Sequence, residues 1–214
     1  ARNKSGKPSL LAFYGGNFLG LAEKEIDSLL SAAEEFADAG KIQGIRFSTR
    51  PDTITADSLA GIKNHCVTEI EIGVQSMDDS VLKISRRGHS SRDTLNAFRE
   101  LKKCGYRVGI QMMIGLPGQS SESAFETARK IVGLKPDFVR IYPTVVLKNS
   151  VLARWMKTGT YRPLSLEEAV SQTKMLFLLF RSHNIPVIRM GLQSSVELDE
   201  KETVLRSEEH TSEL

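Results

Sequence analysis

The segment VTEIEIGVQS, Val67–Ser76, alternates strictly along its length. Ile70, Ile72 and Val74 fall on one side of an extended chain, and Glu69, Glu71, Gly73 and Gln75 on the other. Four more segments repeat this two-sided pattern. Val108, Ile110, Met112 and Ile114 oppose Gly109, Gln111, Met113 and Gly115. Ile45 and Phe47 oppose Arg46 and Ser48. Val139 and Ile141 oppose Arg140 and Tyr142. Ile188, Met190 and Leu192 oppose Arg189, Gly191 and Gln193. A period of two excludes helix in these stretches and demands strands with one apolar face and one polar or glycine face.

The spaces between them read as helices. Ile26, Leu29, Leu30, Ala33 and Phe36 recur at helical spacing, and further helical patterns fall near Ala56–Asn64, Ser91–Cys104, Ser121–Val132 and Ser165–His183. SSRD and SLEE supply a capping residue followed by acids in a first turn, and Gly40 and Gly105 stand where helices should stop. With Leu10–Tyr14, the strand candidates are Gly44–Ser48, Val67–Val74, Val108–Ile114, Phe138–Tyr142 and Pro186–Leu192. Strands alternating with helices give an α/β fold with a parallel sheet. No repeat at solenoid spacing and no low-complexity linker divides residues 1–205, so they read as one core domain.

In such a fold the apolar strand faces pack under the helices and the polar faces converge. The interior then holds Arg46, Glu69, Glu71, Gln111, Arg140 and Arg189. Such groups must be paired, hydrated or bound to a ligand. They form either a structural network of ion pairs or the lining of a wide cavity. Gly73, Gly109 and Gly191 favour the cavity, since they hollow the same face.

Ligands on parallel α/β sheets bind at the carboxyl ends of strands. Here those ends read YGGNF, STRPD, GVQS, GLPGQ, YPT and GLQ. With IRFSTRPDTI, EIGVQSMDDSVLKISRRGHS, MMIGLPGQ and KPDFVRIYPT, they resemble the radical S-adenosylmethionine superfamily over Leu10 to Glu197. The resemblance is to its Elongator-catalytic-subunit-like branch and, more distantly, to oxygen-independent coproporphyrinogen oxidase. It implies an incomplete (β/α)6 TIM-like barrel, open on one side, that lacks the family's first strand and cluster loop. By the same resemblance, Gly15, Gly16 and Asn17 receive the methionine end of S-adenosylmethionine, although many relatives carry an acid at the position of Asn17. Ser48 and Gln111 hold the ribose, Gln75 and Arg87 grip the polar end, and Tyr142 to Thr144 lie near the adenine. His89, in RRGHS, reads equally well as a cap for the helix beginning near Ser91.

Members of this family hold a [4Fe–4S] cluster on a Cys-x-x-x-Cys-x-x-Cys loop, with the fourth iron open to the cofactor. An external electron donor reduces it, and S-adenosylmethionine is cleaved to a 5′-deoxyadenosyl radical. The chain has two cysteines, Cys66 and Cys104, and no such triplet. Both precede strands, at the opposite end from the tips, and read as structural. Two expectations compete: a fragment, inactive by itself, whose intact parent carries the cluster ligands, which is the favoured one, and a naturally cluster-free relative. The terminal RSEEHTSEL, residues 206–214, fits the fragment, because one choice of codons for it resembles a common sequencing-library adapter; a disordered tail is the alternative.

The remaining constraints are broad. A net charge of +3 permits an anionic partner without requiring one. No apolar run reaches bilayer length and no secretory signal is visible, so a membrane association is not expected and a reducing cytoplasm is. Elongator relatives act on the wobble uridine of transfer RNA, which makes tRNA a candidate substrate. Arg86, Arg87, Lys148 and Arg154 either meet RNA phosphates or are solvated surface charge. Two rival functions stay open: a non-catalytic nucleotide- or RNA-binding module on the same barrel, and a hydrolase using Glu69 and Glu71 as an acid/base pair.

Overall fold

A computed structural model describes residues 9–191 and 204–205. The fold is α/β. Six strands, β1 (Leu10–Phe13), β2 (Gly44–Thr49), β3 (Val67–Gln75), β4 (Arg107–Ile114), β5 (Phe138–Pro143) and β7 (Val187–Met190), follow one another in the sheet order β1-β2-β3-β4-β5-β7. They form the parallel strand series of an incomplete (β/α)6 barrel fold. A short pair, β6 (Val146–Leu147) and β8 (Val204–Leu205), is antiparallel. The tail 206–214, Leu192 and Gln193 lie outside the described residues.

The chain falls into two compact units interleaved in sequence. The first comprises Ala1–Val74, His89–Gln111 and Leu134–Phe138. Its parallel register sets Leu10 beside Gly44 and Phe13 beside Phe47, then Arg46 beside Glu69 and Ser48 beside Glu71. A shift between Ile45 and Arg46 produces that pairing of cation with carboxylate. On the apolar side Ile45, Phe47, Ile70, Ile72, Val108 and Ile110 are buried. Helices α1 (Glu23–Asp38), α2 (Ala56–Ile62) and α4 (Ser91–Lys103) supply Leu30, Ala33, Ile62 and Leu101 to the core.

The helix ends are as the sequence suggests. Ser90 caps α4, accepting from the Asp93 N–H while the Asp93 carboxylate accepts from the Ser90 N–H. After α1, Gly40 takes φ +67, and the Lys41 N–H donates to Phe36 O while the Gly40 N–H donates to Ala37 O. That is a Schellman ending, and its left-handed position suits glycine. The stripe α1 buries is narrower than its sequence period suggests. Leu29 and Phe36 are exposed, and Lys41 lies over the Phe36 ring.

The second unit comprises Gln75–Gly88, Met112–Gly133 and Val139–Leu214. It contains α3 (Asp79–Ile84), most of α5 (Ser121–Leu134), α6 (Val151–Lys157) and α7 (Leu166–Ser182). The sequence period does not reveal α3 or α6, because six or seven residues hold too few turns to show one. Their caps do: Asp78 Oδ1 accepts from the N–H of Ser80, and Ser150 Oγ from that of Ala153. Met112, Ile114, Val139, Ile141, Leu176 and Phe180 are buried here. The expectation that Ile188 and Met190 pack under helices fails, for they are 46% and 50% exposed. β7 stands at the end of the described sheet order, with a neighbouring strand on one side.

Candidate functional site

The glycine tip after β1 is open. Gly15 and Gly16 take φ +132 and +120, and a Cβ at either would touch nothing. Their glycine is therefore demanded by backbone conformation and not by crowding. Both residues are exposed. What such a tip offers an incoming ligand is peptide backbone, with no side chain in the way.

Asn17 does different work. Its Oδ1 accepts from the Arg50 N–H at 3.0 Å, from Thr53 Oγ1 at 2.8 Å and from Thr49 Oγ1 at 2.7 Å. Because a peptide N–H must donate, the atom facing Arg50 has to be the amide oxygen. Thr49 in turn accepts from the Leu19 N–H. The Asn17 side chain thus clamps the β1 tip to the STRPD tip of β2. The single-strand alternation that marks Ser48 as inward gives no sign of this clamp, which joins residues more than thirty positions apart.

The polar face of the first unit is a connected network. Gln111 Nε2 donates to Ser48 Oγ at 2.8 Å and to Glu71 Oε2 at 2.7 Å. Arg46 Nη1 lies 3.8 Å from Glu71 Oε1 and 3.9 Å from Glu69 Oε2. Arg107 pairs with the other Glu69 oxygen. Glu69 and Glu71 are only 5% and 1% exposed, so this pairing is what makes their burial tolerable. Arg46 also donates to the Tyr14 hydroxyl and lies beside the Tyr14 ring, 5.6 Å from its centroid. Tyr14 is 55% exposed and stands next to Gly15. The carboxylates face guanidinium and carboxamide groups, and nothing in this arrangement favours an acid/base pair for hydrolysis.

The hollow expected at Gly109 is filled. A Cβ there would lie 2.2 Å from Phe138 Cε2, far inside van der Waals contact, so glycine at this position makes room for an aromatic side chain and not for a ligand. His89 is not the cap of α4, a role that Ser90 takes. Its Nε2 meets Val74 O at 3.1 Å, which assigns the Nε2–H tautomer to the neutral ring, and its Nδ1 is buried without a partner.

In the second unit, Gln75 ends β3 at φ +63, a rare conformation for a residue with a side chain, and its Oε1 is buried without a partner. Arg87 Nη2 touches Met113 Sδ at 2.6 Å. Tyr142 Oη accepts from Arg140 Nη1 at 3.5 Å. Thr144 Oγ1 donates to Ile114 O at 2.7 Å, which ties the β5 tip to the end of β4. The GLPGQ turn is held by the Gln119 side chain, which accepts from the Leu116 N–H and donates to Met113 O. Tyr161, absent from the sequence reading, donates to Gly115 O at 2.7 Å, and burial pushes its phenol up to about 12.

The cysteines present do not fit an iron–sulfur cluster. A ligating cysteine is a thiolate, whereas burial, and then the Glu34 carboxylate, push the Cys66 thiol up. Cys104 is exposed, and both residues precede strands, away from the tips. No cluster of three or more metal-ligating side chains occurs among the described residues. No described helix is long and apolar enough to cross a membrane.

Comparison with known proteins follows the same lines. The sequence profile of the Radical SAM superfamily matches residues 1–131, and that of the Radical SAM C-terminal domain matches residues 136–211. The tRNA uridine(34) acetyltransferase of Methanocaldococcus infernus is 35% identical over 125 residues, covering 57% of this chain and 23% of that protein. The solved structure of the Methanocaldococcus infernus Elp3 with an N-terminal deletion superposes with a TM-score of 0.73 at 24% identity, covering 86% of this chain and 51% of that one. Coproporphyrinogen III oxidase from Escherichia coli, described as a radical SAM enzyme, gives 0.63 at 17% identity, covering 82% and 40%. The chain thus spans about a quarter of the length of the curated acetyltransferase relative and about half of the Elp3 chain.

Proposed function

The chain belongs to the Radical SAM superfamily, and on that premise we propose that it cradles S-adenosylmethionine for a radical enzyme that modifies tRNA. The observation that carries the reading is the Ser48–Gln111–Glu71 group on the polar strand face beside an open glycine tip. Ser48 and Gln111 suit a ribose diol, since hydroxyl and carboxamide can each donate and accept. The Gly15–Gly16 backbone suits the charged amino and carboxylate groups of the amino-acid end. Asn17 acts here by fixing the tip, and its oxygen keeps the three donors described above.

In the second unit, taken by itself, the buried lone Oε1 of Gln75 suits an ammonium or amine N–H. Arg87, Tyr142 and Thr144 keep their assignments through the family resemblance. When bound, S-adenosylmethionine and a [4Fe–4S] cluster supply the radical that abstracts a hydrogen atom in this family. The residues of this chain do not hold that cluster, so their part is to bind and orient the nucleoside. The cluster, the external electron donor and the tRNA uridine substrate belong to the proposed whole enzyme, which we place in a reducing cytoplasm. Residues 1–205 are proposed as its partial core domain.

Calorimetric titration of the purified chain with S-adenosylmethionine tests this. Binding that is lost in Gln111→Leu and weakened in Ser48→Ala is expected. A folded chain that binds RNA or ATP and gives no heat with S-adenosylmethionine would favour the binding-module reading instead.

A further inference from the structure

We propose that the excursion from Pro143 to Leu166, which leaves the carboxyl end of β5 and returns into α7, is a docking surface for an RNA phosphate backbone; this rests on the RNA-modification reading above. These 24 residues contain Lys148, Arg154, Lys157 and Arg162 and no Asp or Glu. The whole chain has 29 basic and 26 acidic residues. Without this stretch, 25 and 26 remain, so the chain's positive excess is concentrated here.

The excursion is a built scaffold. Val146, Ala153 and Tyr161 are buried together, with Leu152, Trp155 and Met156 packed against them. Tyr161 fastens it to Gly115 at the tip of β4. Arg86, held at φ +52 after α3, places its guanidinium over the Trp155 ring, 5.8 Å from the centroid. A stacked guanidinium keeps its N–H edge free for bidentate contact with a phosphate.

Arg162 meets Glu168 at 3.0 Å. Among the described residues no carboxylate pairs with Arg86, Lys148, Arg154 or Lys157, and all four are exposed. The helix dipole accounts for part of this pattern, since Arg154 and Lys157 lie in the last turn of α6. It does not account for Lys148, which precedes the Ser150 cap at the end where a cation is unfavourable, nor for Arg86. Exposed unpaired cations of one sign on a rigid support match a polyanion better than an acidic side chain or two.

The test is fluorescence anisotropy of a labelled RNA stem-loop against the full chain over a range of KCl concentrations. Replacing Lys148, Arg154 and Lys157 together by Gln should weaken binding about tenfold and lower the slope of log affinity against log salt by about 2, at roughly 0.7 per lost phosphate contact. A charge-matched control, Lys24, Lys41 and Lys63 to Gln in the first unit, should bind as the wild type does. The surface is overturned if the first triple variant keeps wild-type affinity and slope, if the control loses as much, or if the wild type binds no RNA, whether or not it binds phosphatidylserine vesicles. Calorimetry with S-adenosylmethionine separates the two proposals. A wild type that ignores the cofactor while only the Lys148 triple variant loses RNA ends the cofactor reading and leaves this surface standing.

Discussion

Gln111 on β4 reaches Ser48 on β2 at 2.8 Å and, with the same nitrogen, Glu71 on the strand between them at 2.7 Å. One carboxamide therefore ties together three strands of the first unit. Replacing it with leucine leaves the 1% exposed Glu71 without one of its donors. Gln111→Leu should cost about 1–3 kcal/mol, the range for an orphaned buried acceptor. The urea midpoint measures it. Gln111→Glu should cost more, because it sets a second carboxylate against Glu71 where a donor stood. An unchanged midpoint in both variants would mean that the contact carries no weight.

Asn17 makes a sharper prediction, because its oxygen accepts and does not donate. Asn17→Asp keeps an acceptor facing Arg50, Thr49 and Thr53 and should leave the urea midpoint close to that of the wild type. Asn17→Leu leaves the Arg50 N–H without its partner and should lose about 1–3 kcal/mol. If Asp proves as damaging as Leu, the oxygen is not what holds the tip.

Much of this arrangement is legible from residue order alone. Alternation fixes which side chains of Val67–Gln75 turn inward, and the inward set Arg46, Ser48, Glu69, Glu71 and Gln111 does meet. Partner choice is another matter. The register shift between Ile45 and Arg46 decides that Arg46 lies beside Glu69, and nothing local encodes it. Gly109 misleads for a related reason: a glycine opposite polar residues looks the same whether it leaves space for a ligand or for Phe138. The roles of Asn17 and Tyr161 depend on contacts across 32 or more positions, which no periodicity reports. The exposed Ile188 and Met190 depend on what covers an end strand, which the strand's own pattern does not contain.

Acid should unfold the chain partly through its helix caps. Hydrogen bonding from Ser80, opposed in part by burial, holds the Asp78 carboxyl below its ordinary 3.8, and the Ser90 side chain does the same for Asp93. A carboxyl with a depressed folded pKa adds stability that is fully present above its unfolded value. That stability disappears as the pH drops through the folded value. The urea midpoint should therefore hold from neutrality to about pH 4 and fall below it. Asp78→Asn and Asp93→Asn should start lower and fall less steeply over the same range. A variant whose acid slope equals that of the wild type removes that residue from the explanation.

Gly109 and Phe138 provide a test that does not depend on charge. Alanine at 109 would drive its methyl group into the ring of Phe138, which is 3% exposed and has Arg107 over its face. A packed ring has no free volume to retreat into, so Gly109→Ala should lose about 1–3 kcal/mol by overpacking. Phe138→Leu removes the obstacle at the cost of some buried area. The double variant should then be more stable than the sum of the two losses implies, by about 0.5 kcal/mol or more, since residues in contact do not act additively. Chemical denaturation of the four proteins measures the coupling. Strict additivity would mean that the glycine serves something other than the ring, and would restore the hollow face that the strand pattern suggests.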